Sequence, residues 1–223
     1  MNLIELFPTV IATFDNPNKQ QIKDIFLKEY GHLQIQDIGE HNGQNNIHKN
    51  ENLKELFDFI IGSMSNYLTS LEIDVGNFHF VLAKSWISYV NSEVAVPLHN
   101  HGEHHLSFTY YVDVPDKSMN YICFNDSRNN INEPFYNAFN TIDGIKPHCM
   151  KENAYNSRTY KLSITEGSLC VFPSRLNHWT FNSDIQRKCI AGDILLIQKT
   201  TTNKNPWGIY PQENWKYYET KMD

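Results

Sequence analysis

Arginine is scarce in this 223-residue chain: four residues against fifteen lysines, within a net charge of -6. Nonspecific nucleic-acid binding is built from clustered Lys and Arg, so this balance argues against a broad phosphate-binding surface and against nucleic acid as a partner. No apolar run reaches the ~20 residues of a membrane-spanning helix. The opening "MNLIELFPTVIATFDNP" also lacks the basic region and small-residue cleavage site of a secretory signal. A soluble, cytoplasmic protein that makes no use of a membrane is expected. Cysteine is sparse too. Cys123, Cys149, Cys170 and Cys189 stand far apart, form no CxxC pair and fall short of the density of a disulfide scaffold, so reduced thiols are expected.

What the chain does have is 40% hydrophobic residues, enough at this length for a full core, and one domain over residues 1–223 is expected. Leu53, Leu56, Phe57, Ile60, Ile61, Met64, Tyr67, Leu68 and Leu71 paint one apolar stripe at helical spacing. Asn52 with Glu55 three residues on reads as its capping box. A shorter helix is expected over 18–30, from Ile22, Ile25, Phe26 and Tyr30, ended by Gly31; the polar stretch 31–50 reads as loop. From residue 78 the period changes to two. "FHFVLAKSWISYV" (78–90), "LSFTYYVDV" (106–114), "NYICF" (120–124), "YKLSI" (160–164), "SLCVF" (168–172), "HWTF" (178–181) and "KCIAGDILLI" (188–197) are short, aromatic and β-branched, separated by turn residues. The fold class is therefore mainly β with N-terminal helices, a jelly roll or sandwich with the helices packed on one face. Residues 125–159 break the rhythm, and a long polar segment of this kind between strands is more often functional than decorative.

"PLHNHGEHHLSF" (97–108) places four of the ten histidines within seven positions, just before a strand. On extended backbone, residues i and i+2 share a face roughly 6.5–7 Å apart, so His99 and His101 can converge on one metal ion while Asn100 points away. An ion needs at least a third ligand, and His178 in "FPSRLNHWTF" is the candidate, reached through a turn at Gly167 and a strand ended by Pro173. Taken on HxH alone, a solvated loop with no ligand role is an equal reading; His178 at the mouth of a second strand favours a metal. Two triads compete: His99, His101 and His178, or the two-histidine-one-carboxylate set His101, Glu103 and His178. His104 and His105 read as rim residues. Arg187 falls nine residues after His178, on the next strand, where its planar guanidinium could donate to both oxygens of a carboxylate. Tyr89 and Tyr111 could add phenol hydroxyls to the same carboxylate, or simply be half-buried strand aromatics.

In this order, "HNHGEHHLSFTYYVDVP", "FNDSR", "GSLCVFPSRLNHWTF" and "QRKCIAGDI" resemble the 2-oxoglutarate- and Fe(II)-dependent oxygenases. The likeness is to a bacterial and phage branch with a pattern like HxHPxSxLSGxYYVxxP. It runs over roughly residues 84–197, and "LFPTVI" near the N-terminus looks like the branch's first strand. The resemblance implies a double-stranded β-helix. It places His99 at the first iron-ligand position and His178 at the distal histidine, with Arg187 as the anchor for the distal carboxylate of 2-oxoglutarate. Tyr89 and Tyr111 resemble the tyrosines that assist that anchor. His101 stands where most of the superfamily carries Asp or Glu, and the branch shares this HxH. The implied ligand set is then His99, His101 and His178, with Glu103 outside it.

The reaction implied is hydroxylation with Fe(II), 2-oxoglutarate and O2, on an unidentified peptide or small molecule, a prolyl or other protein side chain first. Three imidazoles also suit zinc, and the second reading is a cupin-like enzyme that acts on a small carboxylate without 2-oxoglutarate. A metal-stabilised β-sandwich used as a binding module is the third reading.

Overall fold

The change of hydrophobic period at residue 78 is where helix gives way to sheet. The computed structural model of the chain describes residues 8–33, 46–115, 120–126, 159–181, 186–199, 209 and 215–216. Strand β1 (Ala12–Asp15) precedes helix α1 (Lys19–Tyr30) and helix α2 (Lys54–Ser70). Seven strands follow: β2 (Phe78–Val90), β3 (Leu106–Asp113), β4 (Tyr121–Asn125), β5 (Thr159–Ser163), β6 (Ser168–Pro173), β7 (Asn177–Trp179) and β8 (Arg187–Gln198). They form a five-stranded sheet in the order β1-β6-β3-β8-β2 and a three-stranded sheet in the order β5-β4-β7. All named strand pairs are antiparallel. The expected mainly β architecture, a jelly roll with helices on one face, is what the chain adopts.

Strand β3 shows why the large sheet needs a cover on each side. Seven of its eight residues, Leu106 to Val112, are buried. Side chains alternate across a strand, so Phe108, Tyr110 and Val112 enter one core while Tyr111 enters another. The first core lies against the helices, where Ile22 and Phe26 of α1 and Leu56, Ile60 and Met64 of α2 pack on Ile87, Leu169, Val171 and Ile190. The second lies between the two sheets and includes Tyr111, Ile122, Phe124, Cys170, Phe172 and Cys189. Among the described residues no helix is long and apolar enough to cross a membrane.

Local details depart from the sequence reading at three points. The capping box at Asn52 and Glu55 does not form. The Asn50 side chain instead accepts from the Asn52 N–H at 3.0 Å and caps a 3-10 turn over Glu51–Leu53 that runs into α2. Glu55 is drawn sideways to the start of α1, accepting from Asn18 Nδ2 and from Gln21 Nε2. The first strand falls at Ala12–Asp15, immediately after "LFPTVI", because Ala12 to Asp15 find partners in Val171 to Ser168 of β6. Within the expected loop 31–50, Ile47–Lys49 make a 3-10 turn whose Ile47 is buried; residues 34–45 lie outside the described residues. Gly167 makes the expected turn at φ +83°, where its N–H donates to the Tyr111 carbonyl and a Cβ would meet Lys19 at 2.5 Å.

Candidate metal centre

Three segments meet at one end of the gap between the sheets. The HxH stretch leads into β3, the "SRLN" turn leads into β7, and β8 closes the opposite wall. His99 and His178 are joined as an isolated antiparallel bridge. The His101 N–H donates to the Ser174 carbonyl at 2.8 Å, which holds the second histidine against the turn. The rings of His99 and His178 lie 4.2 Å apart, those of His99 and His101 4.9 Å, and those of His101 and His178 5.2 Å.

Each imidazole has a ligand nitrogen within 4.8 Å of the others, close enough for one ion to engage all three. Their second nitrogens are already committed. His99 Nδ1 lies 2.8 Å from the Pro97 carbonyl and His178 Nδ1 lies 2.9 Å from the Leu176 carbonyl. A carbonyl only accepts, so both Nδ1 atoms carry the proton and both Nε2 atoms are lone-pair donors. His101 Nδ1 lies 2.8 Å from Asp193 Oδ2, and its Nε2 is buried with no hydrogen-bond partner among the described residues. An orphaned buried nitrogen beside two further lone-pair nitrogens is what a metal would satisfy. Burial, aided by the neighbouring rings, pushes the His178 pKa down to about 3, and burial lowers His99 as well. Both therefore stay neutral, as ligands must. Cys170 and Cys189 are pushed up to about 12 and about 11 by burial, so these thiols remain protonated and do not compete as ligands.

Glu103 does not join the cluster. It is exposed, on the wall of a separate hollow with Gly102, Arg175 and Pro173, away from the three rings. His105 is no simple rim residue, because its Nδ1 accepts from the Leu196 N–H at 3.1 Å.

Arg187 opens β8 and is only 2% exposed. It lines the same hollow as the three histidines, together with Tyr111, Trp86, Ser88 and Thr180. One of its terminal nitrogens donates to the Tyr121 carbonyl at 3.0 Å, and its Nε is buried without a partner among the described residues. A buried guanidinium with a free donor is the chemistry of a carboxylate site. It does not sit on a strand adjacent to His178 as the spacing suggests: β7 belongs to the small sheet and β8 to the large one, so the two face each other across the gap. Tyr111 lines the hollow, and burial raises its pKa well above the ordinary value, so its hydroxyl remains a donor. Tyr89 is a correction. Trp86, Ser88 and Val90 turn toward the hollow, so alternation sends Tyr89 to the helix side, where it packs on the first core.

Sequence reasoning missed Asp193, which is fully buried and holds His101, and Trp86, which stacks on that ring at 5.5 Å and 14°. The signal for Asp193 was present: an acidic residue in the middle of an apolar strand, "CIAGDILLI". Of the "FNDSR" motif, Phe124 and Asn125 end β4, while Ser127 and Arg128 lie outside the described residues, as do residues 127–158 and Cys149.

Residues 84–193 match the family described as "Putative 2OG-Fe(II) oxygenase". No curated protein matches the chain in sequence. Among solved structures, a prolyl-4-hydroxylase from Pseudomonas putida is similar at 10% identity and a TM-score of 0.50, over 83% of this chain and 92% of that one. EvdO2 from Micromonospora carbonacea var. aurantiaca is similar at 10% identity and a TM-score of 0.53, over 87% and 93%. AviO1 from Streptomyces viridochromogenes is similar at 10% identity and a TM-score of 0.50, over 83% and 89%. At such identities the likeness is one of fold. The matched stretch, which begins at Lys84 on β2 and ends at Asp193 beneath His101, makes this jelly roll an enzyme of the 2-oxoglutarate-dependent Fe(II) oxygenase family, whose chemistry implies both iron(II) and 2-oxoglutarate.

Proposed function

We propose that the enzyme hydroxylates a C–H bond of a protein side chain or small molecule, with His99, His101 and His178 as the metal ligands and Arg187 as the anchor of 2-oxoglutarate. The observation that carries this reading is the shared hollow: three ring nitrogens converge at one point, and a buried guanidinium with a free Nε lines the same space. Iron(II) with 2-oxoglutarate and O2 supplies an oxidation that releases succinate and CO2 and delivers oxygen to the substrate. The chain itself binds, orients and excludes water. Arg187 pairs with the far carboxylate of the oxo acid, and the Tyr111 hydroxyl can donate to the same group. Trp86, Val90, Val96 and Ile122 keep the walls apolar, which strengthens every charge interaction inside. A prolyl or other protein side chain is the substrate we put first, by analogy with the similar fold of a prolyl-4-hydroxylase, which covers 83% of this chain.

The all-histidine ligand set also supports a second reading, a three-histidine enzyme in which Arg187 holds the substrate's own carboxylate. One assay separates the two. Metal-free protein supplied with Fe(II) and 2-oxoglutarate should form succinate, faster in the presence of the right peptide or metabolite. O2 uptake that needs no oxo acid, with no succinate formed, overturns the first reading in favour of the second.

A further inference from the structure

Asp193 is a carboxylate with no solvent exposure, set in a strand that is otherwise apolar from Cys189 to Leu196. A charge is kept out of water only where donors hold it. Here the His101 Nδ1–H donates to Oδ2 at 2.8 Å and the Ser107 hydroxyl donates to Oδ1 at 2.6 Å. Ser107 has one proton to give, so at 2.9 Å the Ser174 hydroxyl is the donor to Ser107. Lys84 Nζ stands 3.4 Å from Oδ2. The other two rings of the cluster rest on neutral main-chain carbonyls, at 2.8 and 2.9 Å; His101 alone of the three is backed by a charge. It is also the ring that occupies the place where a carboxylate ligand would bring a negative charge to the ion.

We infer that Asp193 is a positioning residue for the metal: it fixes His101 as the Nδ1–H tautomer, aims Nε2 at the ion, and restores from behind the ring the negative charge that a carboxylate ligand would have supplied. This rests on the three-histidine reading above. A carboxylate acceptor on Nδ1 raises electron density at Nε2 and makes the ring a better ligand, and partners of this kind typically carry 10–100-fold in metal affinity. Trp86, stacked on the face of the ring, restricts its rotation.

The test uses Co(II) binding to the full chain, followed by calorimetry and by the visible absorption of the bound ion. Asp193→Asn keeps the size and one acceptor oxygen for His101 but removes the charge. It should bind Co(II) about 10–100-fold more weakly and alter the absorption band while its circular dichroism stays that of the wild type. Affinity unchanged in Asp193→Asn overturns the role assigned to Asp193 and leaves the metal site standing. Ser107→Ala cuts the hydrogen-bond network but keeps the charge. It should bind Co(II) within about threefold of the wild type even if it melts earlier, and a loss as large as that of Asp193→Asn would mean that the network, not the charge, matters. If Asp193→Asn does not fold, the His101 tautomer in the metal-free wild-type chain decides: nitrogen NMR should find the proton on Nδ1, facing Asp193 Oδ2, and a proton on Nε2 overturns the role assigned to Asp193. Wild-type protein that binds no Co(II) overturns the three-histidine reading itself, a different failure from that of Asp193.

Discussion

His99 and His178 exchange both of their main-chain hydrogen bonds: the His99 N–H donates to the His178 carbonyl at 3.1 Å, and the His178 N–H to the His99 carbonyl at 2.9 Å. Residues paired in this way send their side chains to the same face. The pairing needs no side chain, so removing either ring leaves the backbone arrangement in place. His99→Ala and His178→Ala should each lose stoichiometric Fe(II) or Mn(II) binding while keeping the wild-type circular dichroism. Full metal occupancy in either variant contradicts the ligand assignment.

The position of Glu103 gives a sharper comparison. It is exposed and outside the cluster, whereas His101 presents a buried Nε2 to the other two rings. His101→Ala should therefore abolish tight metal binding, and Glu103→Gln should leave the affinity within about twofold, in line with the small effects usual for exposed side chains. Calorimetric titration of both variants with one metal decides it; a larger loss in Glu103→Gln reverses the assignment.

Much of this site was legible because the chemistry lies in residues whose spacing is set by strand geometry. The HxH repeat, the turn at Gly167 and the strand boundary at Pro173 all follow from backbone rules, and the strand β2 begins and ends where the alternation does, at Phe78 and Val90. Tyr89 was misplaced because its spacing from His99 says nothing about the face it takes. A register shift between Leu82 and Lys84 resets the alternation of β2, and that shift is set by pairing with β8. Asp193 and Trp86 escaped notice for a related reason. Their meaning comes from what lies across the fold, 2.8 and 5.5 Å from one ring, and no local pattern encodes that.

Arg187 and Lys188 are neighbours that face opposite ways. Arg187 lines the hollow, while Lys188 pairs in register with Tyr89 and Asp113 on the other face. Removing one partner of a buried, hydrogen-bonded charge pair costs about 2–5 kcal/mol. Arg187→Ala should then weaken 2-oxoglutarate binding to the metal-loaded protein by roughly 30-fold or more. Metal affinity should hold, and Lys188→Ala should leave the oxo-acid affinity unchanged. Loss in Lys188→Ala but not in Arg187→Ala is the result that refutes the assignment.

Gly192 sits between Ala191 and Asp193 on β8, paired with Phe108 on one side and Ser85 on the other. A Cβ there would meet two Phe108 ring atoms at 2.6 Å and the Lys84 carbonyl at 2.7 Å. Phe108 is 1% exposed in a filled core, and the carbonyl belongs to a paired strand, so neither can retreat easily. Overpacking of this kind costs about 1–3 kcal/mol. For a chain of this size Gly192→Ala should lower the melting temperature by roughly 2–12 °C. An unchanged melting temperature would show that the strand gives way at no cost.

Acid should destabilise the metal-free protein through its buried histidines before it does so through Asp193. Burial pushes His178 down to about 3, and it also lowers His48, His99 and His105. A histidine whose folded pKa lies below its unfolded value of about 6.5 takes up its proton more readily when unfolded. Its contribution is complete above pH 6.5 and is lost as the pH falls toward the folded value. Asp193 works lower down: burial alone would raise it, but the hydrogen bonds from His101 and Ser107 outweigh that and hold it below the ordinary carboxylate value. Its contribution is therefore complete above about pH 4 and disappears only beneath that. Between pH 6.5 and 4 the histidines dominate, each giving a slope of up to about 1.4 kcal/mol per pH unit. His178→Gln, which cannot titrate, should flatten the urea-unfolding stability profile in that window by close to one proton. A profile of wild-type steepness in this variant would mean that His178 is already free to protonate in the folded chain.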